Sequence, residues 1–327
     1  MTGTILNTGI IPDRRMSTMA TITAGMVKEL RESTGAGMMD CKKALTETDG
    51  DMEKAVVWLR ENGLAKAAKK ESRIAAEGIC AAYVTEDNKV AAVVEVNSET
   101  DFVAKNEKFQ EFVAKVAKQA ASTDAACIDC FLAEPWCEDP SISVKEAQAN
   151  LVAVIGEKLS IRRFEKIVAE DGFVVSYIHN GGKLGILVQM KGEANDATIE
   201  CAKNIAMQVC AMKPAYVRKE EISADFIASE TDIITKEALK ENAESAKPKP
   251  ENIVIERIVP GRLDKELKEI CLVDQIYVKD QEKKVAAYVA SVSKDLDIVK
   301  FVRFETGEGL EKREENFAEE VAKQMGM

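Results

Sequence analysis

One stretch of this chain is written twice. Gly78-Ile79-Cys80-Ala81-Ala82-Tyr83-Val84 aligns with Gly172-Phe173-Val174-Val175-Ser176-Tyr177-Ile178 at an offset of 94 positions. The same offset pairs Lys89-Val90-Ala91-Ala92-Val93-Val94 with Lys183-Leu184-Gly185-Ile186-Leu187-Val188. Runs of small and β-branched residues bounded by turn residues predict strands. Glu86-Asp87-Asn88 and Asn180-Gly181-Gly182 supply the hairpin turns between them. After a one-residue slip, Phe112 and Val116 match Ile205 and Val209 on two following helices. Each half therefore reads strand, turn, strand, helix. The fold class is α+β, with a core of two related α+β subdomains.

The repeat informs most where it fails. Between the strand ending near Val96 and the first following helix, the first copy carries Glu99-Thr100-Asp101-Phe102. The second copy has Lys191-Gly192-Glu193-Ala194-Asn195-Asp196 there, a polar turn without an aromatic. Phe102 lies seven residues before Phe109, in phase with a face that also carries Phe112, Val113 and Val116. Helical phase reads Phe102 as core. The missing counterpart reads it as an exposed contact for a partner. Both readings stand at this level.

Chemistry is scarce. The single histidine, His179, largely removes nucleophile–base pairs and His-bearing metal sites. No phosphate-cradling GxxxxGK[ST] loop is present, and no carboxylate or lysine constellation calls for catalysis. A net charge of −11 argues against a nucleic-acid backbone as partner and suits proteins with basic patches. Apolar runs are shorter than a membrane span. Eight scattered cysteines without a signal-peptide pattern point to free thiols in a reducing cytoplasm. Cys127-Ile128-Asp129-Cys130, with Cys137 nearby, has partial zinc-site spacing but lacks a second CxxC and a neighbouring His. Inert thiols are expected there, with zinc and a redox pair as the alternatives. The chain reads as a binding protein rather than an enzyme, with no cofactor and no metal.

The length of 327 residues allows two or three domains. Residues 1–18 lack any period and read as a flexible extension. Three short helices follow. Thr23 caps the first, Thr34-Gly35-Ala36-Gly37 breaks it, and Asp51 caps the third, which ends near Gly63. This unit resembles the ubiquitin-associated three-helix fold, whose usual work is protein binding. Lys66 to Arg73 reads as a linker helix, so the N-terminal domain and linker span 19–75. The core N-subdomain covers 76–170, with Ser122 to Pro140 irregular and a helix from Ser143 to Lys158. The core C-subdomain takes 171–219 and 273–304. Between these parts, 220–272 forms an antiparallel helical hairpin turned by Lys247-Pro248-Lys249-Pro250. Its stripe of Phe226, Ile227, Ile233, Ile234 and Ile258 is wider than one seam needs. Pro260-Gly261 interrupts or kinks the second helix. A C-terminal helical module, 305–327, carries Phe317, Val321 and Met325 on one face.

Three stretches taken in order are specific: Thr34-Gly35-Ala36-Gly37-Met38-Met39-Asp40-Cys41-Lys42-Lys43-Ala44-Leu45, then Thr100-Asp101-Phe102-Val103-Ala104-Lys105-Asn106, then Arg303-Phe304-Glu305-Thr306-Gly307-Glu308-Gly309-Leu310-Glu311-Lys312. They closely resemble the bacterial translation elongation factor Ts family, from Met19 to the C-terminus. The residues before Met19 and the insert around Cys127 to Cys137 depart from its pattern. The resemblance implies a cytoplasmic guanine-nucleotide exchange factor that binds elongation factor Tu·GDP. It implies that Thr100, Asp101, Phe102 and Val103 disturb the partner's magnesium and phosphate site. It further implies that Arg31, Met38 and Met39 face the partner, as do Phe317 and Val321 in the last helix. His179 falls in the matching core hairpin as a further contact, and the helical hairpin implies a homodimer. The competing class is a non-catalytic scaffold or chaperone-like adaptor built from the same modules.

Overall fold

The computed structural model describes residues 22–311. The extension assigned to 1–18 and the segment expected to form a helix with Phe317, Val321 and Met325 lie outside the described residues.

The N-terminal unit comprises α1 (Ala24–Thr34), α2 (Met38–Glu47) and α3 (Met52–Lys70). The Thr23 hydroxyl accepts the Met26 N–H to cap α1, and the Asp51 carboxylate accepts the Lys54 N–H to cap α3. Val27, Leu30, Cys41, Ala44, Leu45 and Ala55 form its small core.

The first half of the core runs β1 (Glu77–Val84), β2 (Val90–Ser98), the one-turn α4 (Asp101–Ala104), α5 (Glu107–Ser122), α6 (Ile128–Ala133), β3 (Pro135–Trp136), β4 (Asp139–Ser143), α7 (Val144–Ile155) and β5 (Leu159–Val168). The second half runs β6 (Phe173–His179), β7 (Leu184–Lys191) and α8 (Asp196–Met212). It continues with α9 (Ala224–Glu244), α10 (Glu251–Ile253) and α11 (Val259–Ile270). It closes with β8 (Ile276–Tyr277), β9 (Asp280–Lys284), α12 (Val285–Val292) and β10 (Asp297–Glu305). The α+β class is therefore observed.

Two antiparallel sheets, ordered β1-β2-β5 and β10-β7-β6, pack face to face with helices outside. On β2, Ala92, Val94 and Val96 face the helical side, while Ala91 and Val93 face the other sheet. Burial on both faces explains a strand that reads as a continuous apolar run rather than an alternating one. The sheets approach closely at Gly185, where a Cβ would lie 2.8 Å from both Cys80 Cβ and Val93 Cγ2.

Four details differ from the sequence reading. The third helix does not end at Gly63; α3 continues through it, absorbing the start of the supposed linker helix. A mid-helix glycine costs about 1 kcal/mol relative to Ala. Here it faces α7, where a Cβ would already touch Asn150 Oδ1 at 3.5 Å and Ala153 Cβ at 3.7 Å. The helix from Ser143 stops at Ile155, because Gly156 takes a left-handed φ of 87° and caps it. Glu157 and Lys158 are thereby released from the helix. The stretch 122–140 is not irregular throughout: it contains α6 and the β3–β4 hairpin, which β8–β9 repeat in the second half. Strands of two residues are too short to show a period. Finally, Ile234 is buried within the helical hairpin, beside Ala238, Val254 and Val259. Near Pro260, the chain widens into a π-type turn over Val254–Ile258, which accommodates the missing proline N–H.

Candidate functional site

The two halves correspond in their strand contacts and helix caps, with one excess in the first. Gly78 and Gly172 hold equivalent places, since a Cβ on them would fall 2.2 Å from the Val96 carbonyl and 2.0 Å from the Met190 carbonyl. That keeps the strands at an offset of 94. The helices obey another. Asn106 caps α5 and Asn195 caps α8. Gln119 Nε2 donates to the Pro135 carbonyl at 3.0 Å, and its Oε1 accepts the Cys137 N–H at 3.0 Å. Gln208 makes the same pair with the Ile276 carbonyl at 3.0 Å and the Val278 N–H at 2.8 Å. The helices thus correspond at an offset of 89, one turn away from matching Phe112 with Ile205. A four-residue shift keeps the same buried face, so periodicity could not separate the two alignments. Between the strand and the capping Asn the first copy has residues 99–105 and the second only 192–194. The Thr100–Val103 corner is an insertion into the repeat.

The insertion presents one residue and buries the next two. Phe102 is 80% exposed, which overturns its reading as core. Val103 and Ala104 are buried against Ile79 and the α5 side of the first sheet. The Thr100 hydroxyl caps α4 by accepting the Val103 N–H at 3.5 Å. Asp101 pairs with Lys105 at 2.7 Å, a contact that holds its carboxyl below the usual carboxylate range. The same Lys105 Nζ lies 6.0 Å from the Phe102 ring centroid.

A clasp fixes the corner from below. Glu157 Oε2 accepts the Thr100 N–H at 3.0 Å, and its Oε1 accepts the Thr100 hydroxyl at 2.8 Å. Glu99 Oε1 in turn accepts the Lys158 N–H at 2.5 Å and the Arg73 guanidinium at 3.2 Å. Lys158 Nζ reaches the carbonyls of Glu71 and Arg73, at 2.6 and 2.9 Å. The corner is therefore tied both to the β5 entry and to the segment leaving α3. Sequence reasoning missed Glu99, Glu157, Lys158 and Arg73 as site residues. They lie on irregular backbone and meet over long sequence distances, so no period marks them.

Arg31, Met38, Met39 and His179, also named from sequence, lie at the surface. Met38 and Met39, 58% and 76% exposed, open α2 at an N-terminus without a side-chain cap. Arg31 is exposed and lines a depression with Lys28, Gly37 and Lys108, bringing α2 beside the start of α5. His179 is exposed at the end of β6, its Nδ1 2.9 Å from the Tyr177 hydroxyl. Lys183, just past that turn, pairs with Glu77 and also helps hold Asp101 ionised. Among the described residues no group of three or more His, Cys, Asp and Glu side chains could hold a metal, and no helix is long and apolar enough to cross a membrane. The arrangement presents an exposed aromatic ring on a corner held by hydrogen bonds and ion pairs.

A sequence profile described as Elongation factor TS matches residues 99–308. Elongation factor Ts of Clostridioides difficile (strain 630) is 57% identical over 312 residues, covering 94% of this chain and 100% of that protein. Elongation factor Ts of Clostridium novyi (strain NT) is 50% identical over 309 residues, covering 93% and 99%. That of Clostridium perfringens (strain SM101 / Type A) is 49% identical over 310 residues, with the same coverage. The chain belongs to the elongation factor Ts family. Within this elongation factor Ts chain, the profile begins at Glu99, the residue that clasps Lys158, and ends at Glu308. Glu308 lies in the turn after β10 and pairs with Arg163 at 3.3 Å.

Proposed function

We propose that this member of the family is a guanine-nucleotide exchange factor, which binds elongation factor Tu·GDP and speeds GDP release. The observation that carries the reading is the 80% exposed Phe102, set on an insertion whose neighbours on both sides are tied down. An aromatic held out at a fixed corner suits entry into a partner's cleft, where such anchors dominate binding energy. In a GTPase, nucleotide is held by a phosphate-cradling loop and by Mg²⁺ bridging the phosphates. Mg²⁺ demands near-ideal octahedral geometry, so shifting its surroundings slightly is costly. In this reading Thr100, Asp101, Phe102 and Val103 disturb that site, and His179 contacts the same partner from the adjoining turn. Factor and nucleotide then weaken one another equally, as linkage requires, and the factor performs no chemistry.

The rest of the reading follows from the same assignment. The three-helix N-terminal domain is of ubiquitin-associated type and grips the partner through Arg31, Met38 and Met39. The C-terminal module contributes Phe317 and Val321. The hairpin 220–272 mediates a homodimer, and the protein works in the cytoplasm. Release of fluorescent GDP from purified elongation factor Tu tests the proposal. Substoichiometric protein should accelerate release, and Phe102→Ala should slow the accelerated rate about thirtyfold, equivalent to about 2 kcal/mol. Binding without acceleration would instead identify a scaffold or chaperone-like adaptor.

A further inference from the structure

We propose that Cys127 and Cys130 form a redox-active dithiol, closed to an intrachain disulfide by a low-molecular-weight disulfide such as glutathione disulfide. Of the eight cysteines, Cys41, Cys80, Cys201 and Cys271 are buried and Cys210 is half-buried. Three are exposed: Cys127, Cys130 and Cys137. Only the first two are paired. Cys127 is the N-cap of α6, and its Sγ accepts the Cys130 N–H at 3.2 Å. The Cys130 side chain beside it and two backbone N–H groups draw the Cys127 thiol below its ordinary range, against the opposing charge of Asp129. Cys130 is pushed the other way by the same contact. One sulfur is thus readied as nucleophile and its neighbour kept as a thiol in reserve.

The frame around the pair is firm. Phe131 is fully buried, with its ring 4.9 Å from that of Phe164. The Thr123 hydroxyl donates to Glu134 Oε1 at 2.5 Å and accepts the Ala125 N–H at 2.9 Å, bracketing the turn from both ends. Among the described residues no third ligand joins the sulfurs, so the site offers a pair and not a metal cage.

The exchange balances in two steps. The Cys127 thiolate attacks one sulfur of the oxidised disulfide; that S–S bond breaks, a mixed disulfide forms and one thiolate leaves, taking up a proton. Cys130 then loses its proton and attacks Cys127 Sγ, forming the intrachain bond and expelling the second thiol. Two protein thiols are oxidised and one external disulfide is reduced to two thiols.

The test uses the full chain and Cys137 as internal reference. Its thiol is raised by partial burial and by Glu138. Limited iodoacetamide alkylation at pH 7, read by peptide mass spectrometry, should label Cys127 several-fold faster than Cys137, because the two thiols are shifted in opposite directions. Equilibration with glutathione disulfide should remove two hydrogens from the peptide holding Cys127 and Cys130. Cys130→Ser should instead accumulate a glutathione adduct on Cys127, and Cys127→Ser should react no faster than Cys137 does in the wild type. Equal labelling of all three exposed cysteines, or adducts on wild-type Cys127 that never resolve, would overturn the assignment.

Discussion

Glu157 holds Thr100 with both carboxylate oxygens, one on the backbone N–H at 3.0 Å and one on the hydroxyl at 2.8 Å. Glu157 is available because Gly156 ends α7 one residue earlier, and Thr100 is available because the insertion turns there. Both side-chain and main-chain groups of Thr100 are therefore spent on orienting α4. The exposed ring of Phe102 inherits that orientation, two residues on.

Removing the clasp should loosen the corner more than the fold. Glu157→Ala strands the Thr100 N–H, and losing charged hydrogen bonds of this kind typically costs about 1–3 kcal/mol. Partial exposure of Glu157 places the expected loss at the lower end. Exchange on elongation factor Tu should fall several-fold, and Glu157→Gln, which retains an acceptor oxygen, should recover part of it. A variant that exchanges at the wild-type rate while melting lower would make the clasp purely structural.

Two phenylalanines seven residues apart should behave oppositely. Phe102→Ala removes a side chain that is 80% exposed and should shift stability by no more than about 0.5 kcal/mol. Phe109→Ala empties a fully buried position in the same core segment and should cost about 3–5 kcal/mol. Urea midpoints measured side by side decide the matter. Comparable losses would return Phe102 to the core.

How far the sequence could be read follows from these cases. The doubled hairpins were legible because Gly78 and Gly172 face the same backbone constraint, and turn residues sit at matching places. Helix faces were legible through Phe112, Val116, Ile205 and Val209, but their register was not, since a slip of one turn leaves the face unchanged. Phe102 could not be assigned by phase, because α4 and α5 are separate helices with Asn106 capping the second. Gly63 and Gly156 show the limit of glycine as a signal. The first permits a close helix contact and the second ends a helix, and only their neighbours distinguish them. The corner was flagged by an absence in the other copy; the charged residues that hold it carried no local mark.

A buried carboxylate should make the core acid-sensitive. Glu95 is fully buried between the sheets, where desolvation would raise its pKa. The Gly307 N–H, Asn97 and Arg163 outweigh that and leave it below the ordinary value. Arg162 and Arg163 reach its oxygens at 3.0 and 2.6 Å. A lowered native pKa means that the contribution is present above the unfolded value, near about 4.3, and is lost as pH falls through the native one. Glu95→Gln should cost about 3 kcal/mol at pH 7, because two arginines lose their partner. The gap between wild type and variant should shrink in urea titrations carried below about pH 4. A gap that stays constant down to pH 3 would place the acid sensitivity elsewhere.

The helical hairpin carries its own small core and an apolar surplus. Ile234, Ala238, Val254 and Val259 fill the seam between α9 and the returning chain. Ile233 and Ile255 are each 46% exposed, and Ile253 is 38% exposed. The base of the insertion is stapled, with the Ala215 N–H on the Ile270 carbonyl at 2.9 Å and the Leu272 N–H on the Tyr216 carbonyl at 2.9 Å. The exposed isoleucines thus lie on an element that is anchored at its root. Self-association through this face is the expected outcome. Ile234 belongs to the seam, so a test that charged it would confound unfolding with dissociation; Ile233→Asp with Ile255→Asp leaves the seam intact. Light scattering should give a dimer mass for the wild type at roughly tens of micromolar, the range of weak homodimers, and a monomer mass for the double variant. Both proteins should keep the same melting temperature and the same stimulation of GDP release, since the surface changed lies outside the Phe102 corner. A wild type that scatters as a monomer throughout that range would leave these isoleucines as solvent-exposed apolar residues and remove the dimer from the proposed function.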